Sequence, residues 1–149
     1  MLQKATLQDC ELLTHIALTS KAYWGYTTEQ IEGWRKDLTV STELIRDLNV
    51  VKFIANKEVA GFYALHNPKE ERIELEMLFV LPKFIGKGIG KQLLSHALTK
   101  AKEQNAVAIT LLADPNAVPF YKAQGFYEID KKESTIPGRF LPVMQKDLT

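Results

Sequence analysis

The chain has 149 residues, 46% of them apolar and 25% charged, which suits one domain over residues 1–149 with a sizeable core. A net charge of +1 lacks the basic excess of a nucleic-acid binder. The single cysteine, Cys10, excludes an internal disulfide, and no apolar run approaches a membrane span; the expected setting is the reducing cytoplasm.

Leu2 to Ala5 reads as a short strand. A helix is expected from about Asp9 to Lys21, with Leu12, Leu13, Ile16 and Ala17 as its apolar stripe. The stretch KAYWGYTTEQ places Tyr23, Trp24 and Tyr26 around Gly25. A second helix is expected near Thr27, where Thr27 and Gln30 have capping-box spacing. Ser41 to Asp47 reads as a third. Val50–Ala55 and Val59–Leu65 flank NKE and read as a hairpin. Arg72 to Leu81 reads as a longer strand that ends at Pro82. A glycine-rich loop follows, then a helix to about Gln104. Val107 to Leu112 is a strand expected to be buried on both faces. A short helix follows, with Asn116 as the expected N-cap, Pro119 in its first turn and Gly125-Phe126 closing it. Phe126–Lys132 and Leu141–Lys146 are the last two strands. This order implies an α/β fold with a mixed sheet and helices packed on it.

The loop PKFIGKGIGKQLL carries Gly86, Gly88 and Gly90. A dinucleotide fingerprint that starts at Gly86 needs a third glycine at position 91, which is Lys91. A phosphate-binding P-loop read back from Gly90-Lys91 needs Gly at Ile85 and Ser or Thr at Gln92. Both patterns fail. What remains is a loop that leaves a strand and enters a helix, with backbone N–H groups free to meet phosphate oxygens. Lys83, Lys87 and Lys91 add positive charge.

These residues resemble the GNAT N-acetyltransferase family, including its small uncharacterised members. The family signature is Arg or Gln, two free positions, Gly, one free position, then Gly or Ala. It falls on Ile85, Gly88 and Gly90, and departs at Ile85, where the polar side chain that would meet pyrophosphate is replaced. A second stretch, DPNAVPFYKAQGF, matches the family's late motif at Ala117, Tyr121 and Gly125-Phe126. The resemblance implies a mostly antiparallel sheet splayed open in the middle, with acetyl-CoA entering the gap. It implies cofactor contacts from Leu78, Phe79, Val80, Ile85, Gly86, Lys87, Gly88, Ile89, Gly90, Lys91, Asn116 and Tyr121.

The implied reaction is acetyl transfer to a primary amine. An alkylammonium, with a pKa of about 10, must lose a proton before it attacks. Glu74 and Glu76, about 6.6 Å apart on one face of a strand, are the candidate bases; Leu75, Met77 and Phe79 are expected on the other face. Glu76 ranks first as the nearer to the cofactor end. Tyr121 is the candidate acid toward the leaving thiolate. Tyr23, Trp24 and Tyr26 form a candidate aromatic wall for the amine, and Arg139 a candidate partner for a substrate carboxylate. The same residues suit plain packing or an exposed surface. His15, His66, His96 and Cys10 have no metal-ligand spacing, so no metal is expected. The expected partner is a small-molecule or peptide amine, with no nucleic acid and no membrane; a homodimer is compatible with the sequence. The competing function is a non-catalytic acyl-CoA-binding or regulatory module on the same fold.

Overall fold

The computed structural model describes residues 1–149. After strand β1 (Leu2–Lys4), helix α1 spans Cys10–Ala22. Its buried stripe is Leu13, Ile16 and Ala17, while Leu12, expected in that stripe, is exposed. Helix α2 (Thr28–Gly33) starts at the expected capping box: Gln30 N donates to Thr27 Oγ1 at 3.1 Å, and Thr27 N donates to Gln30 Oε1 at 2.9 Å. A one-turn helix α3 (Arg35–Leu38), not expected from the sequence, leads toward α4 (Thr42–Asp47). Ser41 is the N-cap of α4, accepting from Leu44 N at 3.0 Å.

Strands β2 (Asn49–Ala55) and β3 (Glu58–Leu65) form the expected hairpin. Its turn, Asn56-Lys57, has both φ angles positive, as a two-residue hairpin loop requires. Strand β4 (Arg72–Val80) follows, then helix α5 (Ile89–Glu103), β5 (Ala108–Leu112), helix α6 (Val118–Ala123), β6 (Tyr127–Glu133) and β7 (Phe140–Asp147). The sheet order is β1-β2-β3-β4-β5-β7-β6, so β4 is central. All pairs are antiparallel except β4 with β5.

The sheet is covered on both faces. Tyr63, Leu65, Ile73, Leu75, Leu93, Ile109 and Met144 pack on the α5 face. Phe62, Ala64 and Met77 pack with Leu13 and Ile16 on the α1 face. Strand β5 is buried over Ala108–Ile109 and at Leu111, but Leu112 is exposed, so burial on both faces fails at its last residue. Helix α6 closes as expected: Phe126 N donates to Tyr121 O and Gly125 N to Lys122 O, with Gly125 at φ +92°. This is a Schellman close. The start of α6 differs from expectation. The N-cap position is Ala117, not Asn116, and carries no side-chain bond; Asp114 instead caps the short turn Pro115–Ala117 before the helix, its carboxylate accepting from Asn116 N.

Candidate active site

The site grows from an irregularity in β4. Leu75 pairs with Leu65, and Met77 pairs with Ala64, the adjacent residue of β3. Glu76 is therefore an extra residue, a β-bulge. Alternation resets there. Leu75 faces the α5 core and Met77 the α1 core, so the expectation that Leu75, Met77 and Phe79 share a face is corrected. The bulge lies at Glu76, ahead of the Leu78–Val80 stretch expected to meet the cofactor.

The bulge coincides with the split in the sheet. Pairing of β4 with β5 runs from Arg72↔Ala108 to Leu75↔Leu111 and stops. Beyond it β4 continues to Val80 paired with β3 alone, and β5 stays with β7. A cavity of about 520 Å³ opens at the split, within the usual range for a small-molecule site. One wall is Leu75–Val80. The other is Leu111, Leu112, Asp114, Asn116, Ala117, Phe120 and Tyr121.

The glycine loop closes one end of this cavity, through Ile85, Gly86, Gly88, Ile89, Gly90 and Lys91. Gly86 and Gly88 have φ of +84° and +77°, and a Cβ at either would meet nothing within 4 Å. They are glycine for conformation, with open space in front of the backbone. Gly88 is the N-cap of α5, so the unpaired N–H groups of a 15-residue helix point out of this end. The loop therefore fits a phosphate-bearing cofactor such as coenzyme A. Ile85 is about half-exposed at its edge. Lys87 does not line the cavity, and Lys83 is paired with Glu58 at 2.7 Å. Lys91 is the cation the loop presents to the cavity.

Glu76 lines the cavity and Glu74 does not. Both are exposed. With His66 they bring one ligand atom each within 4.8 Å of one another, so the fold groups a histidine with two carboxylates that sequence spacing leaves apart. Tyr121 is buried on the wall facing β4. Burial, reinforced by the Asp114 charge, pushes its phenol above the ordinary value, so it keeps its proton.

The aromatic stretch divides. Trp24 lines the cavity, and Tyr23 packs edge-on against it, exposed. Tyr26 does not belong to that wall. Its hydroxyl accepts from Arg139 Nη1 at 2.5 Å and donates to Asp114 Oδ2 at 2.9 Å. Its ring packs edge-on against Trp34. Arg139 lies over both rings, 5.0 and 5.7 Å from their centroids. Lys21 and Asp114, not among the expected site residues, line the cavity and form an ion pair at 2.5 Å. Asp-Pro is a turn signal that marks Asp114 as a cap; nothing local marks Lys21.

The model of the acetyltransferase (GNAT) domain family matches residues 24–147. An uncharacterised N-acetyltransferase, ycf52, of Gracilaria tenuistipitata var. liui is 30% identical over 87 residues, 58% of this chain and 45% of that protein. The chain spans less than half the length of the curated relatives it matches. The paia N-acetyltransferase from Thermoplasma acidophilum, solved in complex with coenzyme A, superposes with a TM-score of 0.85 at 23% identity, covering 99% of this chain and 98% of that one. The ribosomal-protein-S18-alanine N-acetyltransferase from Escherichia coli gives 0.75 at 16% identity, covering 100% and 94%. At these identities the two structures establish a shared fold, and the family match establishes membership: this chain belongs to the GNAT acetyltransferase domain family.

Proposed function

We propose that this protein is an N-acetyltransferase that moves the acetyl group of acetyl-CoA to a primary amine. The observation that carries this reading is the cavity at the β4–β5 split, with the positive end of α5 at one side and Glu76 and Tyr121 on its walls. The relative from Thermoplasma acidophilum holds coenzyme A on the same fold.

When bound, acetyl-CoA supplies an activated thioester. Gly86–Lys91 would hold its pyrophosphate by backbone N–H groups, with Lys91 adding charge, and Leu78, Phe79 and Val80 would run along the pantetheine arm. Asn116 contributes less directly than the resemblance implied, because its side-chain amide is committed to Tyr26 and Asp114. Glu76, on the cavity wall, takes the ammonium proton, directly or through water; Glu74 is the second candidate. Tyr121, buried on the facing wall with its phenol protonated, would supply a proton to the leaving thiolate and be reprotonated by the one that the attacking nitrogen sheds. Trp24 is a face for the acceptor amine. Tyr23 is a weaker candidate because it stands outside the cavity.

The test is coenzyme A release, followed with a thiol reagent, across primary amines of four kinds: alkylamines, amino acids, peptide N-termini and lysine side chains. Release that depends on both amine and enzyme supports the reading. Tight acetyl-CoA binding with no release from any amine would favour the non-catalytic module.

A further inference from the structure

Asp114 is the meeting point of four segments. Its Oδ1 accepts from Asn116 N at 2.8 Å, the bond that caps the turn into α6. Lys21 Nζ, in the last turn of α1, donates to Oδ2 at 2.5 Å. The Tyr26 hydroxyl, on the loop after α1, donates to Oδ2 at 2.9 Å. The Asn116 amide donates to Oδ1 at 3.0 Å and to the Tyr26 oxygen at 3.2 Å. Tyr26 then accepts from Arg139, on the hairpin between β6 and β7. That hairpin has a second tie to the same region, from Trp34 Nε1 to Thr135 Oγ1 at 2.8 Å.

This arrangement sits between two walls of one cavity. Ser20, Lys21 and Trp24 line it from the α1 end, and Asn116, Ala117 and Tyr121 from the other side. Asp114 bonds to both groups at once. Its side chain is 11% exposed and that of Lys21 17%, so the pair is largely withdrawn from water. Two cations, Lys21 and Arg139, flank the Tyr26–Trp34 pair. A single carboxylate faces them, bonded to Lys21 directly and to Arg139 through the Tyr26 hydroxyl. Removing that carboxylate's charge leaves Lys21 without an anion and frees the α1 end and the hairpin to shift.

We propose that Asp114 is a positioning residue for acetyl transfer: its carboxylate fixes the α1 wall and the β6–β7 hairpin against the turn that leads to Tyr121. The inference rests on the transferase reading given above. Acceptor groups held by the α1 wall then meet the reacting centre at a set distance, and a displacement of about 1 Å is worth up to about a hundredfold in rate.

The test uses Asp114→Asn and Tyr26→Phe in the full chain. Asparagine keeps an oxygen for Asn116 N, so the cap survives while the ion pair is lost. Phenylalanine keeps the ring on Trp34 and removes the hydroxyl that joins Arg139 to Asp114. Each variant is assayed below its own measured melting temperature, with the best amine of the panel. The expected result is a fall of about tenfold to a hundredfold in kcat/KM for the amine, with the acetyl-CoA dissociation constant within about twofold of wild type. The double variant should lose no more than the worse single, since both break one network. Wild-type kcat/KM in Asp114→Asn would overturn the inference, as would a proportionate loss of acetyl-CoA affinity, which marks a general structural effect. Wild-type protein that turns over no amine would overturn the transferase reading and this inference together; wild-type turnover with an intact Asp114→Asn overturns this inference alone.

Discussion

His66 Nε2 lies 3.5 Å from Glu76 Oε2. His66 N donates to the Glu74 carbonyl at 2.9 Å, so the histidine extends β3 by one residue and brings its ring beside the bulge. The Glu76 carboxylate is 40% exposed and makes no ion pair with lysine or arginine. Lys52 is held by Asp9 at 2.9 Å. Glu76 thus stands at the cavity wall with no lysine or arginine held against its carboxylate.

Glu76→Gln should therefore lower kcat by about a hundredfold or more, with acetyl-CoA affinity unchanged. Glu74→Gln, outside the cavity, should cost far less. Steady-state rates on the same amine decide between them. A larger loss in Glu74→Gln would reassign the base.

Tyr121→Phe should reduce kcat about tenfold to a thousandfold and leave the acetyl-CoA dissociation constant alone. Burial pushes the phenol above its ordinary value, so Tyr121 should cause no fall in rate on the alkaline side below about pH 10. A rate in Tyr121→Phe equal to wild type would remove the hydroxyl from the mechanism.

Gly61 and Gly88 separate two uses of glycine. A Cβ at Gly61 would sit 2.5 Å from the Phe79 carbonyl oxygen, so Gly61→Ala should push β3 from the cavity stretch of β4. A stability loss of about 1–3 kcal/mol is expected, with weaker acetyl-CoA binding. A Cβ at Gly88 meets nothing, but φ is +77°. Gly88→Ala should cost about 1–2 kcal/mol of backbone strain and act chiefly on acetyl-CoA affinity. Chemical denaturation and titration calorimetry on both variants separate the two effects.

Asp114 also ties stability to pH. Burial alone would raise its pKa, but the Lys21 ion pair with the Asn116 and Tyr26 hydrogen bonds outweighs it, and the folded-state value lies below the ordinary one. The unfolded chain therefore takes up the proton first as pH falls. The stabilisation is present above the unfolded value, about pH 4, and is lost as pH drops through the lower folded value. Asp9, lowered by Thr6 and Lys52 against its own burial, acts in the same direction. Asp114→Asn should melt lower than wild type at pH 7, with the gap narrowing below about pH 4. A constant gap across that range would contradict the account.

Much of the fold was legible because its signals are local. The Thr27–Gln30 capping box, the Asn56-Lys57 turn and the Gly125-Phe126 close depend on neighbours within a few residues. The glycine loop was legible for the same reason. The bulge at Glu76 was not, because it is a mismatch between two strands and leaves no mark in RIELEMLFV. Alternation carried past it put Met77 on the wrong face. Asn116 has the residue type of a cap, while Asp114 two positions earlier holds the bond. Tyr26 and Arg139 have the residue types of substrate contacts. In the fold Tyr26 bonds to Asp114 and to Arg139, 88 and 113 residues away in sequence, a separation no local pattern reports. His66 fell outside any metal or catalytic spacing and reached Glu76 through strand pairing alone.

The central claim is that the split between β4 and β5 takes acetyl-CoA. Thermal unfolding in separate samples with acetyl-CoA, NAD and ATP tests it most directly. Ligand at about 100 times its dissociation constant adds about 2.7 kcal/mol, which for a domain of this size is a rise of about 5–10 °C in Tm. The account predicts that rise with acetyl-CoA and none with NAD or ATP. An unchanged Tm with acetyl-CoA, or an equal rise with ATP, would contradict it.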